Sequence, residues 1–228
     1  MSRNILIVAA HPDDEVLGCG GTIAKHIFDG DTVHVVFFTD GVGARPKGDA
    51  GATDADSRKM ASVAALGILG VDEAHIKAFS FLDNAMDAVP RLEIVKSLEG
   101  WISQVQPSVV YTHHLGDLNV DHRYTYDATM TACRPQPHFS VKEIYSFEVL
   151  SSTGWYGVSC NCPFIPSRYV NIESYLAQKI AALEAYHQEM REFPHARSMD
   201  AVLALAKYRG TQVGVSSAEA FCVERIID

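Results

Sequence analysis

The chain is poor in basic side chains: 19 lysines and arginines stand against 28 aspartates and glutamates, a formal net charge of −9 at pH 7. A nucleic-acid groove needs a dense basic face, so we expect no nucleic acid as partner, and a neutral small molecule or another protein instead. No apolar run approaches the length of a membrane span, so we expect no membrane partner. The nearest approach to a secretory leader, the run from Ile5, stops at His11 with no cleavage site behind it. Cysteine is scarce and poorly spaced. Cys19, Cys133, Cys160, Cys162 and Cys222 form no C-x-x-C pair, and an odd number does not suggest a disulfide framework. Cys160-Asn161-Cys162 lacks the second half of a metal motif, and free or buried thiols are the better reading. We therefore expect a cytoplasmic protein. The bulk composition, 47% hydrophobic and 21% charged, is that of a globular domain with its own core, and we expect one domain over residues 1–228. Association into a homo-oligomer is left open by the sequence.

Apolar runs and amphipathic stretches alternate along the chain. Residues 4–10, 32–39, 76–81, 107–112 and 143–148 read as strands, the first ones apolar enough to be buried on both faces. Helical spacing covers 16–28, 53–70, 90–105 and 121–133. Beyond 148 the alternation weakens. An irregular excursion over 151–168 precedes a strand over 169–172, a long helix over 174–191, a helix over 198–208 and a last strand over 220–226. This order predicts a Rossmann-like three-layer α/β/α sandwich around a mostly parallel sheet. A dinucleotide is not its expected ligand. Gly18-Cys19-Gly20-Gly21 comes too late for the phosphate fingerprint, and His11-Pro12-Asp13-Asp14 would set carboxylates where a pyrophosphate should sit.

The chemistry gathers at two strand ends. His11, Asp13, Asp14 and Glu15 arrive together at the carboxyl end of the first strand, where open α/β sheets bind ligands. A His and an Asp three residues apart in a sharp turn can reach one divalent ion, and nitrogen with oxygen suits zinc. Helix capping by Asp13 and Asp14, with His11 packed at the strand end, is the bland alternative. A second burst of His and Asp from His113 to His122, behind another apolar strand, favours a site. His113 and His114 point to opposite faces, so at most one looks into the pocket, and His114 is the catalytic candidate. The glycine-rich loop 40–49, rooted at Asp40, is expected to form a pocket wall.

These residues resemble the LmbE-like or PIG-L-type zinc-dependent N-acetyl-sugar deacetylases. The family's first motif looks like His11-Pro12-Asp13-Asp14-Glu15. Its second, usually His-Pro-Asp-His, looks like Asn119-Val120-Asp121-His122. The likeness runs over most of the chain, through Thr39-Asp40-Gly41, Arg58, Leu66-Gly67, Lys179 to Tyr186, Arg209 and Ala218-Glu219-Ala220-Phe221. It implies that His11, Asp14 and His122 hold the metal, Zn2+ or another divalent ion such as Fe2+, with Asp13 as general base. The activity implied is hydrolysis of the acetyl amide of an N-acetylated amino sugar, an N-acetylglucosamine-like moiety in a glycoconjugate or nucleotide-sugar pathway. The alternatives are an amidase acting on a non-sugar amide and a non-catalytic metal- or sugar-binding module on the same fold.

Asn119 stands where the family has its first histidine of the second motif. Its amide is expected to donate to the oxyanion, with a plain turn residue as the alternative. Asp121 is expected beside the catalytic groups, orienting an imidazole or capping the helix. Arg58, Asp40 and Arg123 are candidates for gripping the substrate, with surface salt bridges as the alternative for the two arginines. Glu15 is expected to cap its helix rather than bind metal, and His187 and His195 to be structural.

Overall fold

Asn4–Ala9, the first strand, lies in the middle of the sheet because its run of Ile, Leu and Val can be covered on both faces; from Ile5 to Ala10 nothing is exposed. The computed structural model describes residues 2–41, 51–137, 139–157 and 162–228. Seven strands, β1 (Asn4–Ala9), β2 (Thr32–Thr39), β3 (Ile76–Phe81), β4 (Val109–His113), β5 (Glu143–Phe147), β6 (Arg168–Asn171) and β7 (Ala218–Ile226), form one sheet in the order β3-β2-β1-β4-β5-β7-β6. β1 to β5 run parallel, and β7 is antiparallel to both β5 and β6. The helices are α1 (Asp14–Phe28), α2 (Gly51–Ile68), α3 (Arg91–Val105), α4 (Val120–Ala132), α5 (Ser152–Trp155), α6 (Leu176–Ala185) and α7 (Met199–Thr211).

Alternation along β1 feeds two cores. Ile5, Ile7 and Ala9 pack with α1, α2, α6 and α7, whereas Leu6 and Val8 pack with Ile94 and Leu98 of α3 and Ala128 of α4. The expected three-layer α/β/α sandwich around a mostly parallel sheet is what forms. Its strand order reverses direction between β1 and β4, and at such a switch point a crevice opens outside the carboxyl ends of the strands. Among the described residues no helix is long and apolar enough to cross a membrane.

α1 is not continuous. Cys19 leaves the helical conformation (φ −148°, ψ 25°), which frees backbone groups that a buried pair from elsewhere takes up. Glu219 on β7 accepts from the amides of Gly21 (3.0 Å) and Thr22 (2.7 Å), and Lys179 on α6 donates to the Leu17 carbonyl at 2.9 Å. Close packing explains Gly18, since a Cβ there would lie 2.3 Å from the Phe147 ring.

Two expectations end differently. The helix foreseen over 174–191 stops at Ala185, because Tyr186 turns inward to donate its hydroxyl to Glu15 at 2.7 Å and Glu189 pairs with Arg58. These buried polar contacts outweigh local helix propensity. Of the loop foreseen over 40–49, residues 42–49 lie outside the described residues, as do Cys160 and Asn161.

Candidate metal centre

The turn from β1 into α1 holds its sharpest feature at Asp13, whose φ of 119° is a conformation that non-glycine residues avoid at a cost of roughly 1–3 kcal/mol. Glu15 braces it. One Glu15 oxygen accepts from the Asp13 amide at 2.9 Å and the other from the Tyr186 hydroxyl, and burial pushes the Glu15 carboxyl up to about 8. The turn leaves His11, Asp13 and Asp14 buried together at the carboxyl end of β1. His122, in the first turn of α4, meets them from the neighbouring β4 side.

Three donor atoms converge. His11 Nδ1 lies 3.0 Å from Asp14 Oδ2, His122 Nε2 lies 3.1 Å from the same oxygen, and the two nitrogens are 3.3 Å apart. Ligand atoms around a tetrahedral zinc with bonds of about 2.0–2.1 Å sit about 3.3 Å from one another, so this triangle fits one ion. The outer nitrogens are held by carboxylates. His11 Nε2 is 3.1 Å from both Asp121 Oδ2 and Asp83 Oδ1, and His122 Nδ1 is 3.2 Å from Asp117 Oδ2. Such partners fix the tautomers and aim the remaining nitrogens inward. Asp14 Oδ1 is buried without a hydrogen-bond partner, a free valence suited to a ligand. Burial alone would raise Asp14, yet His122, His11 and His113 hold it well below the usual carboxylate range. Burial alone would lower His122, yet Asp14 and Asp117 carry it up to about 9. A cation taken by these nitrogens releases their protons, so affinity should rise with pH.

Asp13 faces two guanidinium groups. Arg197 Nη1 lies 2.7 Å and Arg58 Nη2 3.6 Å from Asp13 Oδ2, while Asp13 Oδ1 is buried with no partner. Burial pushes the Asp13 carboxyl up to about 6 against the pull of Arg197 and Arg58. A carboxylate with one oxygen clamped and the other free, next to a triangle of metal-type donors, can accept a proton there.

Residues 6–133, more than half of the chain, match the PIG-L family, described as GlcNAc-PI de-N-acetylase. The chain belongs to the PIG-L family. It is 30% identical over 191 residues to the uncharacterized deacetylase YaiS of Escherichia coli strain K12, covering 81% of this chain and 90% of that protein. Over 241 residues it is 26% identical to the 1D-myo-inositol 2-acetamido-2-deoxy-alpha-D-glucopyranoside deacetylase of Mycolicibacterium vanbaalenii, covering 86% and 84%. The N,N'-diacetylchitobiose deacetylase from Pyrococcus horikoshii shares the fold, with a TM-score of 0.80 at 21% identity over 98% of this chain and 84% of that one. So does GalB, the 4-carboxy-2-hydroxymuconate hydratase from Pseudomonas putida KT2440, with a TM-score of 0.81 at 24% identity over 99% and 98%. One fold thus carries more than one reaction, and the choice must come from the site.

In this PIG-L chain the histidine beside the donor triangle is His113, not His114. The His113 ring is buried, stacks on His122 at 3.9 Å and accepts the Ala10 amide at 2.9 Å on Nε2. Burial, with His122 next to it, holds His113 well below its ordinary value, so it stays neutral. His114, the expected catalytic candidate, turns away: its Nε2 meets the Cys162 carbonyl at 3.1 Å and its Nδ1 the Ser146 hydroxyl at 3.5 Å. Gly116 permits this, because a Cβ there would collide with that carbonyl. Asn119 is the N-cap of α4, its Oδ1 accepting from the Asp121 amide at 2.8 Å. Asp121 touches His11 and also accepts the amides of Asn84 (2.6 Å) and Met86 (3.1 Å).

The residues expected to grip substrate are mostly occupied. Arg123 braces the turn before α4, its Nη1 donating to the carbonyls of Asp117 (2.6 Å) and Leu118 (2.9 Å). Arg58 is buried on Asp13, Glu189 and the Pro12 carbonyl. Asp40 is exposed at the end of β2 and borders, with Pro12, a separate hollow of about 330 Å³. Sequence reading passed over Arg197. It lies in 186–198, the stretch drawn toward the site by Tyr186 and Glu189, and the signal available was the need of a buried Asp13 for a second cation. Arg197 lines a cleft of about 520 Å³ together with Asn119, Ser152, Trp155, Arg191 and His195.

Proposed function

We propose that this PIG-L protein is a metal-dependent N-deacetylase that hydrolyses the acetyl amide of an N-acetylated amino sugar. The observation that carries the reading is Asp13: a buried carboxylate held in a strained turn, with Oδ2 clamped by Arg197 and Oδ1 left without a partner beside His11, Asp14 and His122. A merely structural metal site has no use for such a group. The sugar half of the reading is supported by the Mycolicibacterium vanbaalenii relative, whose name gives a 2-acetamido-2-deoxyglucopyranoside as what it deacetylates.

His11, Asp14 and His122 would hold the ion, Zn2+ or Fe2+. Such an ion supplies a Lewis acid for the acetyl carbonyl and lowers the pKa of water toward ~7. Asp13 Oδ1 takes a proton from the water that attacks the carbonyl carbon, and Arg197 and Arg58 keep the opposite oxygen fixed while it does so. As the C–N bond breaks, the same carboxyl returns the proton to the departing amine, so that acetate and the free amino sugar leave. Asn119, its Oδ1 held by the Asp121 amide, has its NH2 to offer the carbonyl oxygen as charge develops there.

Asp13→Asn tests the reading directly. Metal content should stay near that of the unaltered protein while acetate release from an N-acetylglucosamine-type substrate falls by about 10²-fold or more. Loss of metal would instead make Asp13 a ligand, and unchanged turnover would remove it as the base.

A further inference from the structure

The acidity of the whole chain hides a local reversal. Glu189, the carboxylate among the residues lining the 520 Å³ cleft, is paired with Arg58, and the lining Arg197 is paired with Asp13. Arg191 on the same wall is exposed and, among the described residues, has no carboxylate within salt-bridge distance. It is nonetheless held in place, because its Nη1 donates to the carbonyls of Gln188 (2.7 Å) and Met190 (2.9 Å). The rest of its planar fork is left to meet an oxyanion bidentately, as guanidinium groups do with carboxylate and phosphate.

Two neighbours extend the site. His195 Nδ1 accepts the Arg197 amide at 3.0 Å, which puts the ring's proton on Nε2 as a second donor. Trp155, 54% exposed, stands edge-on to His195 at 5.5 Å and offers an aromatic surface on the cleft lining. A large exposed indole on a cleft wall is suited to cover the apolar face of a sugar ring.

We propose that the substrate carries an anion, phosphate or carboxylate, on or next to its N-acetylated sugar, that Arg191 and His195 bind this anion, and that Trp155 covers the sugar ring. The proposal rests on the deacetylase reading above and names the substrate class within it.

Trp101 and Trp155 are the chain's two tryptophans, so Trp101→Phe leaves Trp155 as a single fluorescent reporter. With that protein, the dissociation constants of neutral N-acetylglucosamine, its 1-phosphate, its 6-phosphate and N-acetylmuramic acid are compared by Trp155 quenching. At least one anionic sugar should bind about 10- to 100-fold more tightly than the neutral one, the scale of a hydrogen bond to a charged group. A phosphate source shows as preference for a sugar phosphate, a carboxylate source as preference for N-acetylmuramic acid. Adding Arg191→Gln should reduce the preference to less than about threefold. Equal affinities for all four sugars, or a preference that survives Arg191→Gln, overturn the proposal. Acetate release from the same sugars separates the two readings. Selective binding without release overturns the deacetylase reading alone, and release without selectivity overturns this one.

Discussion

Two buried acidic clusters meet α1, one at its first turn and one at its kink, and they differ in what their oxygens are left to do. Glu219 is fully occupied: one oxygen accepts from Gly21 and from Lys179 Nζ at 2.6 Å, the other from the amide and hydroxyl of Thr22. Asp13 and Asp14 are as deeply buried, yet each keeps one oxygen with no hydrogen-bond partner. A buried polar atom without a partner costs about 1–3 kcal/mol, so a chain retains one where something else completes it. The first cluster repairs a kinked helix and needs nothing more. The second keeps valences that a cation and a substrate would fill.

The sharpest way to break that contrast is to disturb each cluster and ask which property fails. His122→Ala removes one corner of the donor triangle, and the protein should lose most of its bound divalent ion, with affinity falling by more than the roughly 100-fold seen for residues that only support a ligand. Acetate release should go with it. Elemental analysis of the purified variant checks this, and full metal retention would dissolve the triangle as a site. Glu219→Gln should do the opposite. It strands Lys179, 5% exposed, without its counter-charge, which costs about 3 kcal/mol or more. At roughly 2–4 °C per kcal/mol for a chain of this size, thermal melting should fall by about 6–12 °C, while metal content and turnover below the transition stay near those of the unaltered protein.

Much of the incomplete cluster was legible, because β1 ends abruptly in His, Pro and carboxylates and no core strand would do so for packing alone. The pairing of His113 and His114 shows where legibility stopped. Their alternation was readable, but β4 is buried on both faces and so has no polar side to tell which ring looks toward β1. Arg197 escaped for a different reason. Residues 186–191 have helical composition, and the tertiary bonds of Tyr186 and Glu189 that break the helix join positions more than a hundred residues apart. Asn119 takes the turn reading in the structure, its oxygen capping α4, and the proposed oxyanion role would fall to the nitrogen that the cap leaves over.

The cap and the proposed oxyanion role can be pulled apart. Asn119→Asp keeps an oxygen for the Asp121 amide and removes the NH2, whereas Asn119→Ala removes both. Acetate release should fall by about 10²-fold in each if the NH2 serves the oxyanion. Only the alanine variant should lose the cap, about 1 kcal/mol in thermal or denaturant unfolding. An aspartate variant with full turnover would return Asn119 to the complete, structural kind of residue, alongside Glu219.

Asp121 lies between the two kinds and gives the finest test. Its oxygens are all engaged, by His11 Nε2 and by the amides of Asn84 and Met86, so by valence it resembles Glu219. By position it belongs with the donor triangle, because together with Asp83 it sets which His11 nitrogen keeps its lone pair. In Asp121→Asn one oxygen remains for three donors, and the introduced NH2 cannot accept from His11. Metal affinity should then drop by about 10- to 100-fold, the usual effect of losing a carboxylate behind a histidine ligand. Turnover should return toward that of the unaltered protein as metal is titrated back, since no group that touches the acetyl carbon has changed. A turnover defect that persists at saturating metal would mean that Asp121 acts on the reaction itself, and a normal metal titration would make it a loop anchor for Asn84 and Met86 alone.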